Sequence, residues 1–164
     1  MSSWNDNPLG RSRVLFSNPY IEVIEEEILA GRQSEVLYHM HKLVDLCVIS
    51  GQLKFEVDAP PYSPSGEHPH KSDIRIFSAG GRTGCNSRVA YRLTAYANQD
   101  LHLIKTFHRG RKPTPLLSSS DVFSFPSFHD ALTQLNDVEK NLSSLMEGVE
   151  LLPTSERGLS PLEV

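Results

Sequence analysis

Two cysteines are all the chain has, and Cys47 and Cys85 lie far apart, the first inside an apolar run where a thiol behaves as a small buried hydrophobe. No disulfide staple is required, and a reducing cytoplasmic or otherwise intracellular setting is expected. No run approaches the roughly 20 apolar residues of a membrane span, and the opening MSSWNDNPLGRSR has no apolar core of the kind a signal peptide needs. Excess basic charge is missing too. Sixteen Lys and Arg stand against 20 Asp and Glu, a net charge of -4, and one short basic spot from His108 to Pro113 reads as a solvated turn. Nucleic acid is therefore not an expected partner. Internal repeats, heptads, a P-loop, GxSxG, paired CxxC and HExxH are all absent.

At 164 residues the chain is one domain's worth, able to bury on the order of 70% of the surface its unfolded form exposes. Residues 1–17 are polar and turn-rich and read as a flexible arm that can become a strand near Val14, Leu15 and Phe16. From residue 18 to 110 β signals dominate. YIEVIEEEI reads as a strand closed by the turn Ala30 to Arg32, and DLCVISGQLKFEV predicts a hairpin about Ser50-Gly51, where glycine supplies positive φ. The proline-rich stretch 59–72 is a loop, followed by DIRIF, a glycine-rich turn, RVAYRLTAYA and LHLIKTF. Short strands separated by turns predict an antiparallel barrel or sandwich. Residues 111–126 read as a linker. Residues 127–148 are expected to form a helix with Leu132, Leu135, Val138, Leu142 and Leu145 on one stripe, capped by Ser127 or Asp130 and ended by Gly148, and 149–164 read as a mobile tail.

The chemistry-bearing stretch is LYHMHKLVDL. Successive side chains of a strand alternate faces, so His39 and His41 point the same way, and Asp45 joins them if the strand runs on without a bulge. Two imidazoles and a carboxylate with open positions suit Fe(II) and other divalent metals. The same residues could instead be polar side chains hydrogen-bonded to neighbours. A second pair, His68 and His70, falls in the proline-rich loop, where nothing preorganises it.

Gly31, His39-Met40-His41, Asp45 and Gly51 resemble the first motif of the cupin family, and KSDIRIFSAGGRTGCNS resembles the second, with Asp73 at the acidic position and Gly80 at the turn glycine. The resemblance covers roughly residues 19–108. It implies a cupin-like β-barrel or sandwich, with the helix as a C-terminal addition, and a metal (Fe, Mn, Ni or Zn) held by His39, His41 and Asp45. It departs from the family in a longer gap between Gly31 and His39, aspartate for glutamate at Asp45, and Ser78 and Ser87 in place of proline and asparagine. Thr83 stands where the third histidine ligand is usual, and a hydroxyl is a poor ligand beside imidazoles. Cys85, Asn86, His102 and His108 are the alternative donors.

Two functional readings follow. In one, the chain binds a small molecule inside the barrel, with or without a divalent metal that makes it an oxygenase or isomerase type of enzyme, and Tyr38, Thr83, Tyr91, Arg92 and Tyr96 line the substrate site. Only one face of RVAYRLTAYA can point inward. In the other, the chain is a non-catalytic structural or assembly protein, viral matrix-like or an adaptor, whose sheet is scaffold. The helix stripe can pack on its own barrel or on a second subunit, so a homodimer is an expectation of either reading.

Overall fold

The computed structural model describes residues 3–59, 71–110, 115–116 and 122–135. Eleven strands follow in order: β1 (Asn5–Asn7), β2 (Gly10–Ser17), β3 (Glu22–Ile28), β4 (Val36–His39), β5 (Leu43–Ser50), β6 (Leu53–Ala59), β7 (Lys71–Phe77), β8 (Arg82–Cys85), β9 (Ala90–Ala95), β10 (Leu101–His108) and β11 (Val122–Phe125). A helix, α1, covers 128–135. The strands form two antiparallel sheets, one ordered β1-β2-β3-β10-β5-β8 and the other β11-β4-β9-β6-β7. Among the described residues no ladder joins the sheets edge to edge. Of the two expected architectures, the molecule is the sandwich and not the closed barrel.

Alternation builds the interior. Along β10 the inward positions are Leu101, Leu103, Lys105 and Phe107, and along β5 they are Val44, Leu46 and Val48. These meet Leu53 and Phe55 of β6 and Tyr91, Leu93 and Ala95 of β9 in one apolar core. A smaller core lies on the outer face of the second sheet, where Ala131 and Leu135 of α1 cover Val36, Tyr38, Ala90 and Phe125. Each such Leu or Val contributes about 1.5–3 kcal/mol by leaving water. Ser127 is the cap: its Oγ accepts from the Asp130 amide at 3.1 Å and donates to the Asp130 carboxylate at 2.9 Å. The rest of the expected helix to Gly148, most of the linker and the tail lie outside the described residues.

Three expectations give way. Residues 122–125, read as part of the linker, form β11, which pairs with β4. Residues 5–17, read as a flexible arm, form β1 and β2, with β2 pairing with β3 along its length. Charge adds to that pairing: Arg11 meets Glu27 at 2.7 Å and Arg13 meets Glu25 at 2.5 Å across the strands, so the acidic run of β3 is one side of an ion-pair ladder. The hairpin about Ser50-Gly51 is a corner. Its first arm, β5, pairs with β10 and β8 in one sheet, while its second, β6, pairs with β9 and β7 in the other. Gly51 does have φ +83°, and a Cβ there would stand 2.3 Å from the Asp100 carbonyl oxygen. Glycine thus lets the chain cross between layers close against β10.

Candidate functional site

At one end of the interior the apolar lining is interrupted by polar groups from both sheets. β4 delivers His39, 4% exposed, with Nε2 2.6 Å from the hydroxyl of Tyr91 on β9. The imidazole stacks edge-on to Phe107 of β10, centroids 5.4 Å apart, and tilts against the Tyr91 ring at 5.6 Å. Facing them from the other sheet, Lys105 Nζ donates to Glu26 Oε2 at 3.1 Å, an ion pair whose two residues are both buried. Lys42, in the bend after β4, sits over the Phe107 ring at 5.0 Å.

The electrostatics follow from burial. Loss of water, reinforced by the charges of Lys42 and Lys105, pushes His39 down to about 3, so the ring is neutral at physiological pH. Burial, with Cys85 and Glu26 acting the same way, holds the Tyr91 phenol well above its usual range. Burial alone pushes the Cys85 thiol up to about 12. The cluster is therefore a neutral imidazole, phenol and thiol beside one internal ion pair. Among the described residues, two of its atoms find no hydrogen-bond partner: His39 Nδ1 and Glu26 Oε1.

The strand carrying His39 does not run on to Asp45. β4 stops at His39, residues 40–42 bend, and β5 begins at Leu43, so the alternation that would align the three residues is broken. His41 lies half-buried in that bend. Asp45 points to the outer face of the first sheet, its side chain 58% exposed, and meets His108 Nε2 at 2.6 Å. His102, also on that face, is paired with Glu25 at 2.7 Å. Cys85 Sγ turns to the Val89 carbonyl at 3.5 Å. Among the described residues no three His, Cys, Asp or Glu side chains are grouped to hold a metal ion. His39, His41 and Asp45 are thus not brought together, and the described residues do not fit the metal centre the resemblance implies. His68 and His70 lie outside the described residues.

The residues expected to line a substrate site are dispersed. Tyr91 is inside. Tyr38 belongs to the outer core under α1, one position out of phase with Leu37, which packs inward. Arg92 is on the opposite face from Tyr91, bonded to the carbonyls of Ser34 (3.1 Å) and Pro126 (2.6 Å), and Tyr96 lies just beyond the end of β9. Thr83 is on the edge strand β8, beside an outer groove of about 390 Å³ that Asp45, Cys47, Arg82, Ile104 and Thr106 also line. Glu26 and Lys105 are the interior residues the sequence reading missed. Their signal was present: each takes an inward turn in an alternation whose other members are Ile24 and Ile28, or Leu103 and Phe107.

No protein-family model matches the chain, and no curated protein matches it in sequence. Solved structures do match in shape. The cupin domain of Cnp3 from Schizosaccharomyces pombe aligns with a TM-score of 0.50 at 16% identity, over 60% of this chain and 64% of that one. KdgF from Halomonas sp. aligns at 0.52 and 14% identity, over 67% and 90%. A mutant of oxalate decarboxylase from Bacillus subtilis aligns at 0.59 and 12% identity, over 75% of this chain and 30% of that one. The match thus spans under two thirds of the Cnp3 chain and a smaller part of the decarboxylase. At such identities the likeness is one of fold. Among the described residues no helix is long and apolar enough to cross a membrane. With two antiparallel sheets packed face to face, and with neighbours of this kind, the chain has a cupin-like fold.

Proposed function

We propose that this cupin-fold chain binds a small polar molecule at the end of its interior where His39, Tyr91, Glu26 and Lys105 meet. The observation that carries the reading is the pair of unmatched atoms, His39 Nδ1 and Glu26 Oε1, in a region otherwise lined by Phe107, Leu103 and Phe55. A buried polar atom without a partner costs about 1–3 kcal/mol, and native structures leave few of them without a purpose. If the Tyr91 hydroxyl donates to Nε2, Nδ1 carries the ring proton and is an unmatched donor; in the other tautomer it is an unmatched acceptor. Glu26 Oε1 is an acceptor in either case. A ligand bearing both a donor and an acceptor, such as a small hydroxy acid or sugar, completes the set. Binding suits the site better than proton abstraction, because a histidine held near 3 is a weak base at neutral pH.

Thermal unfolding in the presence of a panel of small hydroxy acids and sugars tests the reading, alongside elemental analysis for Fe, Mn, Ni and Zn. At least one panel member should raise the midpoint in a concentration-dependent way, and His39→Phe should abolish the rise. A panel without effect, or stoichiometric metal that disappears in His39→Phe, would replace this account with another. An assembly role is favoured by a separate observation, the exposed Ile74 and Ile76 on the edge strand β7, and the two roles are compatible.

A further inference from the structure

β7 ends the second sheet, with β6 on one side and, among the described residues, no strand on the other. All seven of its residues, Lys71–Phe77, are in register with β6, so its free edge is long and regular. Edges of that kind template pairing with another chain unless something blunts them. On its outer face β7 shows Ile74 and Ile76, 55% and 57% exposed. On its other face Asp73 and Arg75 hold each other at 2.8 Å, with side chains 56% and 68% exposed.

We infer that two copies of this chain associate by antiparallel pairing of their β7 strands about a two-fold axis through Ile74. The register follows from the sequence of the strand. A two-fold axis perpendicular to the sheet keeps each side chain on its own face, so residues of opposite parity cannot stand opposite one another and the axis must pass through a residue. An axis at Asp73 or at Arg75 sets that charge against its own copy, which is unfavourable. An axis at Ile74, the middle of the strand, pairs the whole length of β7 and sets Asp73 opposite the partner's Arg75 and Arg75 opposite the partner's Asp73. It also places the two Ile74 side chains together on the outer face. Charges on an edge usually discourage pairing; these are self-complementary in one register and repulsive in its neighbours, and they therefore select the partner as well as guard the edge.

Sedimentation of the full chain over a wide range of concentration tests the pairing. The mass is expected to climb from 18.4 kDa toward twice that value. Asp73→Arg and Arg75→Asp, singly, each place like charges opposite at two symmetric positions and should weaken the dimer about tenfold or more. The double exchange, Asp73→Arg with Arg75→Asp, restores both pairs and should return the dissociation constant to that of the parent. That recovery also shows that the variants fold, since both side chains are exposed. A chain that stays monomeric at every concentration overturns the inference and leaves the edge for a different occupant. So does a double exchange that dimerises no better than the single ones.

Discussion

Acidification should reveal His39. In the unfolded chain this imidazole takes up its proton around 6.5; in the fold, burial and the charges of Lys42 and Lys105 delay that to about 3. Between those values the unfolded chain binds a proton that the folded chain refuses, so stability from this group is complete above pH 6.5 and is lost as pH falls toward 3. The slope is about 1.36 kcal/mol per pH unit, which gives a loss of about 2 kcal/mol between pH 7.5 and pH 5. With a urea m-value of about 2 kcal/mol/M, the unfolding midpoint should drop by about 1 M over that interval. Other groups titrate too, so the informative quantity is a difference. His39→Gln keeps a polar side chain that has no charge to gain, and its midpoint should fall by about 1 M less than that of the parent. Equal pH slopes in the two proteins would mean that His39 is solvated in solution, and the interior cluster would lose its foundation.

Two further outcomes are expected. Tyr91→Phe removes the group that satisfies His39 Nε2 at 2.6 Å and should cost about 1–3 kcal/mol in urea unfolding; an unchanged midpoint would show that the contact contributes nothing net. Lys105→Met strands Glu26 and should cost about 3–5 kcal/mol, whereas Lys105→Met combined with Glu26→Leu should recover most of that loss, and strictly additive losses in the double-mutant cycle would contradict a buried ion pair.

Much of the architecture was legible because it rests on local chemistry. The alternation of β10, the turn glycine at Gly51 and the Ser127 cap are each set by a few neighbouring residues, and each is found where its residues place it. Pairing is different. Nothing in DLCVISGQLKFEV states that β5 will join β10, some 55 residues later, instead of its neighbour β6, because a two-residue corner and a two-residue hairpin use the same glycine. The site was half legible for the same reason. His39 lies inside, as its strand predicts, but the inference to Asp45 required one unbroken strand, and the bend at 40–42 resets the phase. Glu26 and Lys105 are hard to read because charge argues for the surface, whereas the periodicity places them among Ile24, Ile28, Leu103 and Phe107.

β10 lies between β3 and β5, and it is made last of the three. Until residue 108 has left the ribosome, two acid-rich and valine-rich edges stand apart with no strand to join them, and the layer opposite has nothing to close upon. Completion of this sheet is consequently governed by long-range closure, and shortened fragments that stop before Leu101 should be bound by chaperones or lost.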